Sequence, residues 1–449
     1  MIGRTPLEAW IGAKAGIGPD AGGADWRQAL GAFQLRRLND TLDHARRNAS
    51  FYRRQLAALP EAPLSILADL ARLPFTTPSD LTADPSGFVA VGQDDIARIV
   101  TLRSSGSTGE AKRLFFTEAD LELTVDFFHH GMSTLVRPGQ KVAILLPGDS
   151  PDSVGDLLAR GLRRMAVDSV VLGPVADPLG TAEAVAASGA QCLVGIPTQV
   201  LAVARSRRGA AIGPGRIESV LLSTDYVPRA IAATLEEVWG CRVFTHYGMT
   251  EMGLGGGVEC AALDGYHLRE ADLYFEVVDH RTGAPCPDGI LGEVVFTTLT
   301  RRGMPLIRYR TGDIARILPQ PCPCGSVLRR MERVGGRWSG MIDLGGGSPL
   351  TLAAMDESLF ALANLLDYRV VLTRGEAGGV RMRVEVHGRD GDAPTAPEVI
   401  RRLMEVEAIR TAIAQSRLDL PDPRFSPDGR WSTTGVAKRL IVTRGDPRG

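Results

Sequence analysis

Between Arg103 and Arg113 the chain reads RSSGSTGEAKR, in which Ser104, Ser105, Gly106, Ser107, Thr108 and Gly109 are followed by Lys112. Glycine permits close backbone approach and unusual dihedrals, so successive N–H groups and hydroxyls of such a run can converge on phosphate oxygens, with the lysine as a mobile positive charge. The run lacks the Gly-Lys-Ser/Thr ending of a Walker loop, and its composition also suits a flexible linker. HYGMTE, His246 to Glu251, offers an aromatic face at Tyr247, a hydroxyl at Thr250 and a carboxylate at Glu251. RYRTGD, Arg308 to Asp313, offers cations, a turn glycine and the carboxylate of Asp313. Each has a plainer reading when taken alone: Tyr247 as a core aromatic, Glu251 as a carboxylate at a helix start, Asp313 as a turn former.

A third set of side chains points to a metal. Cys260 and His267 have six residues between them, and Cys322 and Cys324 have one. Three thiolates and an imidazole suit tetrahedral zinc, although the spacing is unlike that of a zinc finger. No open coordination position is implied, so the ion expected is structural. The alternative is a set of free thiols beside a hydrogen-bonded histidine; a disulfide across Cys-x-Cys is disfavoured because so tight a ring strains the bond. Cys192, Cys241 and Cys286 read as packing or surface cysteines.

The elements that must position these groups follow from periodicity. Residues from about 25 to 75 carry apolar positions at helical spacing, as in LGAFQLRRLNDTLDHA. From Gln140 onward, short apolar runs (QKVAILLPG, DSVVLGP, QCLVGIP, IESVLLST) alternate with helical stretches, the rhythm of βαβ units and a mainly parallel sheet. Between about 265 and 320, LYFEVVD, GEVVFTTL and DIARILP, joined by Gly/Pro/Asp turns, read as antiparallel strands. After the glycine-rich RVGGRWSGMIDLGGGS, the segments YRVVLTR, VRMRVEVHG and PEVIRRLMEVEAIRTAIAQ read as two strands and a helix. The fold class expected is α/β. A large domain, 1–335, holds mainly parallel sheets, a small antiparallel β subdomain and a helical lead-in over about 1–85; a small mobile α+β domain covers 336–449.

With 449 residues, about two or three domains are expected. The 51 basic and 52 acidic side chains nearly cancel, which gives no support to nucleic acid or an anionic membrane as a partner. MIGRTPLEAW has neither the basic stretch nor the apolar run of a signal peptide, and no run approaches the roughly 18 apolar residues of a membrane span. A cytoplasmic location is therefore expected, and six cysteines in so long a chain are too few for a disulfide framework.

Taken together and in this order, the Ser/Thr/Gly run, HYGMTE and FTTLTRRGMPLIRYRTGD, with LPFTTPSDL before them, resemble the adenylate-forming superfamily. Their spacing is similar to that of phenylacetate-CoA ligases, over roughly residues 30 to 445. The resemblance implies a fold with a mobile C-terminal lid and a two-step reaction. ATP activates a carboxylic acid, by default an aromatic one, as an acyl-adenylate, and CoA then displaces AMP. It also implies roles. Ser104, Ser105, Gly106, Ser107, Thr108, Gly109 and Lys112 contact the ATP phosphates; Tyr247 stacks on adenine beside Gly248; Thr250 touches the α-phosphate; Glu251 holds Mg²⁺; Asp313 binds the ribose hydroxyls with Arg337 nearby. The Cys260, His267, Cys322 and Cys324 set resembles one that holds structural Zn²⁺ in a subset of these ligases. A homodimer is a further implication.

The chemistry accounts for these residue types. A carboxylate has no good leaving group until its oxygen is joined to AMP, and both carboxylate and triphosphate are anionic, so donors and a metal must offset the repulsion. Two departures stand out. The family's C-terminal Gly-Lys-x-x-Arg is here GVAKR, with Gly435 and Arg439 in place and Val436 where the lysine belongs. In an extended segment Lys438 shares the face of Val436, so it either replaces the missing cation or is merely solvated. The hinge also differs, with Ser339 and Gly340 after Trp338. DFFHHG (126–131) and MGLGGGVE (252–259) lie where an acyl pocket could form, the first adding aromatic area and the second removing side chains; the aromatic pair reads equally as core. The rival functions are transfer of the adenylate to a carrier protein or an amine, and a degenerate ligase that binds nucleotide or acyl-CoA without efficient turnover.

Overall fold

The computed structural model describes residues 3–102, 111–345, 347–374, 379–389, 392–426 and 439–444. The chain divides into two compact units, Met1–Gly139 with Gly148–Asp168 and Phe244–Val334, and Gln140–Pro147 with Ser169–Val243 and Gly335–Gly449. The Ser/Thr/Gly run, Val436 and Lys438 fall outside the described residues.

In the first unit the lead-in is helical, as its spacing predicts. Helix Pro6–Ala15 starts at Thr5, whose hydroxyl accepts from Leu7 N–H, and has proline at its first position, where a missing N–H is harmless. Helix Gly23–Asn48 buries Trp26, Leu30, Phe33, Leu38, Leu42 and Ala45, one stripe at steps of three to five residues. Two sheets follow. Leu273–Val278, Gly292–Thr298 and Tyr309–Ala315 are antiparallel, with Phe296 between Phe275 and Tyr309 in the register. Ile96–Leu102 pairs antiparallel with Lys112–Thr117, so that Leu102 lies opposite Lys112 at the two ends of the Ser/Thr/Gly run.

The second unit begins with the parallel strands Lys141–Ile144, Cys192–Gly195 and Ser219–Leu222, paired in the register Val142 with Cys192 and Cys192 with Ser219. The helices Pro178–Ser188, Pro197–Arg205 and Arg229–Trp239 alternate with them, which is the βαβ rhythm read from the sequence. Its remaining part is a sheet of Leu365–Arg374 and Val380–Gly388, antiparallel, with Val442–Arg444 parallel to the first. Helices Leu352–Leu359, Ala396–Leu403 and Glu407–Ala414 bury Met355, Leu359, Leu403 and Ile409 in a core shared with Val370, Met382 and Val384. This core is continuous with Leu193, Val220 and Leu235 of the parallel-strand part.

The stretch PEVIRRLMEVEAIRTAIAQ, expected as one helix, is two, broken at 404–406. From Leu403 the buried positions run Leu403, Val406, Ile409 and Ala412, in steps of three, with Ala408 buried beside Ile409. On a continuous helix of about 100° per residue such steps rotate the apolar stripe away from the sheet, and the break re-aims it. Among the described residues no helix is long and apolar enough to cross a membrane.

Candidate active site

Glu251 lies in a short 3-10 turn, Thr250–Met252, that follows strand Arg242–Tyr247. Its side chain is nearly inaccessible, and Lys112, the first residue of its strand, reaches it across 139 positions of sequence with Nζ 2.5 Å from Oε1. The Tyr309 hydroxyl donates to the same oxygen at 3.1 Å, while Arg301 Nη1 donates to the Glu251 carbonyl at 2.8 Å. Burial by itself would raise this carboxyl, but the charge and hydrogen bond of Lys112, with the bond from Tyr309, override it and hold the group below its ordinary value. Glu251 is therefore an ionised, oriented carboxylate at neutral pH. Thr250, half-buried, opens the same turn.

Asp313 accepts a hydrogen bond from the Tyr247 hydroxyl at 2.9 Å, and both residues are buried. One face of Tyr247 lies against Tyr266, centroids 5.8 Å apart and planes 29° from parallel. No turn precedes Asp313: Gly312 lies within strand Tyr309–Ala315 at a register irregularity opposite Glu293, which accepts from Gly312 N–H at 3.0 Å and from Arg310 Nε at 2.9 Å. Gly312 has φ +76°, a value that favours glycine. Alternate residues of strand Tyr309–Ala315 are buried, so Tyr309, Thr311 and Asp313 share one face. Tyr309, Tyr266, Glu293 and Arg301 are supporting residues that motif reading missed. For Tyr309 the signal was present, two and four residues before Thr311 and Asp313, and Arg301 lies within FTTLTRRGMPLIRYRTGD; for Tyr266 and Glu293 no local pattern marks them.

Gly248 is required by close approach, since a Cβ there would sit 2.3 Å from the Leu254 carbonyl oxygen. The glycine tract behaves differently from its expected role. A Cβ on Gly255 would lie 2.3 Å from the Phe127 ring, so the space freed by the missing side chain is filled by that ring and is not open. Phe127 and Phe128 are both buried, and their rings approach His246 at 6.1 and 6.4 Å between centroids. Burial pushes the His246 imidazole down to about 4 from its usual 6.5. Because the unfolded chain binds this proton first, stability is expected to be lost as pH falls from 6.5 towards 4. Urea midpoints measured across that range should slope less in His246→Asn than in the parent.

The cysteine and histidine set also converges. Val258 pairs with His267 and Glu259 with Tyr266, a hairpin register that brings Cys260 beside His267; Arg330 pairs with His267 from the other side. The four ligand atoms lie within 4.8 Å of one another and all four residues are buried. Cys260 Sγ is 3.6 Å from Cys322 Sγ, and Cys324 Sγ is 3.4 Å from His267 Nε2. All six cysteines are free thiols. Burial, with Arg330 second, pushes His267 down to about 4, so its ring is neutral at pH 7. Its buried Nδ1 has no hydrogen-bond partner among the described residues.

In the second unit, Arg337 lies in the short strand Gly336–Arg337. Arg439, which fits the final position of the C-terminal motif, donates from Nη1 to Asp356 Oδ1 at 2.6 Å and pairs through Nε with Asp367 at 3.2 Å. Tyr368 also donates to Asp356, at 2.5 Å, so this arginine is an anchor for its segment.

The sequence profile of the AMP-binding enzymes matches residues 33–299, more than half of the chain. The chain belongs to the AMP-binding enzyme family. It is 29% identical over 416 residues to a phenylacetate-coenzyme A ligase of Thermus thermophilus, covering 88% of this chain and 90% of that protein. It is 31% identical to the phenylacetate-coenzyme A ligase of Aromatoleum evansii over 71% of this chain and 72% of the relative. Its fold resembles that of a 2-hydroxyisobutyryl-CoA ligase in the postadenylation state, with TM-score 0.77, 20% identity, and 96% and 94% of the two chains covered. The AMP-binding fold thus accounts for the mixed α/β architecture, and the matched residues include Lys112, Tyr247 and Glu251.

Proposed function

We propose that this AMP-forming acyl-CoA ligase acts on an aromatic carboxylic acid, using the Glu251 and Asp313 carboxylates as the two fixed points of its nucleotide site. The chain activates an acid as its acyl-adenylate and then forms the CoA thioester. In the first step an oxygen of the acid forms a bond to the α-phosphorus and pyrophosphate leaves; in the second the CoA sulfur attacks the acyl carbon and AMP leaves. The observation that carries the assignment of roles is the Lys112, Glu251 and Tyr309 constellation, a charged carboxylate held against a cation beside the phosphate-loop sequence.

Tyr247 presents the face not covered by Tyr266 to adenine, beside Gly248, and its hydroxyl orients Asp313 towards the ribose hydroxyls. Lys112 and the hydroxyls and N–H groups of Ser104, Ser105, Gly106, Ser107, Thr108 and Gly109 receive the phosphates, with Thr250 at the α-phosphate. Glu251, a hard oxygen donor, suits Mg²⁺, which when bound would screen the triphosphate. Lys112 would then exchange its carboxylate partner for phosphate oxygens. Lys438 takes the place of the lysine replaced by Val436, and Arg439 anchors the segment beside it through Asp356. The domain 336–449, with Arg337 near its start, rotates between the two steps, and an acceptor other than CoA is the competing outcome.

The buried cysteine set fits Zn²⁺. Tetrahedral bonds of about 2.3 Å to sulfur and about 2.0 Å to nitrogen place ligand atoms roughly 3.8 and 3.5 Å apart. The observed 3.6 and 3.4 Å match closely. Three thiolates and one neutral imidazole complete the coordination, so the zinc is structural. The acid and CoA are its small-molecule partners, without nucleic acid or membrane. A cytoplasmic homodimer completes the reading.

The deciding experiment supplies ATP, Mg²⁺ and a panel of carboxylic acids with and without CoA. CoA-dependent AMP formation, greatest with aryl or arylacetic acids, is the expected result. AMP formation that requires an amine or carrier protein instead would move the acceptor. Absence of pyrophosphate exchange across the panel, with ATP still bound, would replace turnover by binding alone.

A further inference from the structure

We propose that Asp126, His129 and His130 form a second metal site, separate from the cysteine cluster, that takes a first-row divalent cation through nitrogen and oxygen. The three residues lie on helix Glu118–Met132 at positions i, i+3 and i+4, the spacing at which helical side chains project from one face. Their ligand atoms lie within 4.8 Å of one another. His130 Nε2 is 3.6 Å from Asp126 Oδ1, and the two imidazoles stack with centroids 4.3 Å apart. Bonds of about 2.0 Å to nitrogen and oxygen separate tetrahedral ligands by roughly 3.3 Å, so small side-chain adjustments close the site. Imidazole and carboxylate suit zinc, nickel or copper in preference to calcium.

The surroundings support the assignment. Trp10 Nε1 donates to Asp126 Oδ2 at 2.9 Å, which orients the carboxylate with Oδ1 towards His130, as an outer partner orients a metal ligand. The Trp10 ring also stacks on His130 at 5.3 Å, fixing that imidazole. Among the described residues Lys14 is the lysine or arginine paired with the carboxylate, with Nζ 3.7 Å from Oδ2, and it is engaged at 2.8 Å by Asp272, so its charge faces the far oxygen and has its own counterion; Arg164 adds positive charge on the His129 side. Side-chain exposures of 27% for His130 and 31% for Asp126 leave room for water in the remaining coordination positions.

Cobalt(II) distinguishes the two sites in the full-length protein. Thiolate-bound cobalt shows sulfur-to-metal charge transfer, and a nitrogen and oxygen site shows only weak visible bands. Metal-free protein is expected to take up a second equivalent of cobalt without added charge-transfer absorption. The double variant His129→Ala/His130→Ala and the single variant Asp126→Asn are expected to lose that equivalent while keeping the thiolate signal. An unchanged circular dichroism spectrum shows that each variant is folded, and His130→Gln serves where the double variant is not. The inference is overturned by absence of thiolate-free uptake in the parent protein, or by its persistence in the folded variants. The histidine variants decide the matter whether or not the cysteine cluster takes metal.

Discussion

Glu251→Gln is expected to lower ATP–pyrophosphate exchange by about two orders of magnitude while leaving the chain folded. Glutamine keeps the shape of the side chain and can still accept from Tyr309 through its carbonyl oxygen, so the packing of the turn is conserved. What disappears is the negative charge that Lys112 approaches at 2.5 Å and that a hard cation would require. Loss of one preorganised electrostatic contact at a phosphoryl-transfer centre typically costs about 3 kcal/mol of transition-state stabilisation, or roughly a hundredfold in rate. Tyr309→Phe removes an orienting hydrogen bond to Oε1 and leaves the charge in place, so it is expected to lower the rate by about tenfold or less. Raising the Mg²⁺ concentration should partly restore the Tyr309→Phe enzyme, which keeps the carboxylate, and should do much less for Glu251→Gln. Exchange at the parental rate in Glu251→Gln would remove this carboxylate from the chemistry.

The second large effect is expected on stability. Purified protein should contain zinc, and Cys322→Ser should lose it and unfold about 10 °C lower, as should the parent after chelation. A serine hydroxyl is a poor ligand for zinc, and the metal-binding free energy of a closed thiolate site is largely folding free energy. Several kcal/mol is lost, and a fall of about 2–4 °C per kcal/mol applies to domains of about 150–250 residues. The effect is local in origin: Cys322 and Cys324 sit in a turn closed by Gly325 N–H to the Cys322 carbonyl, and strand Tyr266–Leu268 carries His267 between the strands Gly257–Glu259 and Arg330–Met331. Without an ion, three buried thiols and an imidazole with an unpartnered Nδ1 are left with few polar contacts. Cys286→Ser, at a position outside the cluster, is the matched control and should leave melting unchanged. Absence of zinc with freely titratable thiols would overturn the assignment.

The local signals in the chain are those that depend on spacing within a single element. The helical lead-in, the alternation of apolar runs and helices from Gln140, and the antiparallel texture after 265 are all visible because side-chain period follows backbone geometry. HYGMTE, RYRTGD and the paired cysteines are likewise compact enough to quote, and their residue types already point to phosphate, carboxylate and thiolate chemistry. Periodicity misled at PEVIRRLMEVEAIRTAIAQ, where the choice between one helix and two depends on the sheet against which the stripe must lie.

Tertiary structure decided which side chains meet. Lys112 and Glu251, Tyr247 and Asp313, and Arg439 and Asp356 are each separated by more than 60 positions, and no local pattern encodes such pairings. It decided as well that Phe127 fills the space beside Gly255, because a missing side chain creates room only if no neighbour packs into it. The charge state of Glu251 belongs to the same category: burial and an adjacent ammonium oppose one another, and only their positions settle the balance. Residue types and short spacings therefore determined the available chemistry, while long-range packing determined its partners, because covalent connectivity restricts neighbours along the chain and leaves contacts across it to the folded core.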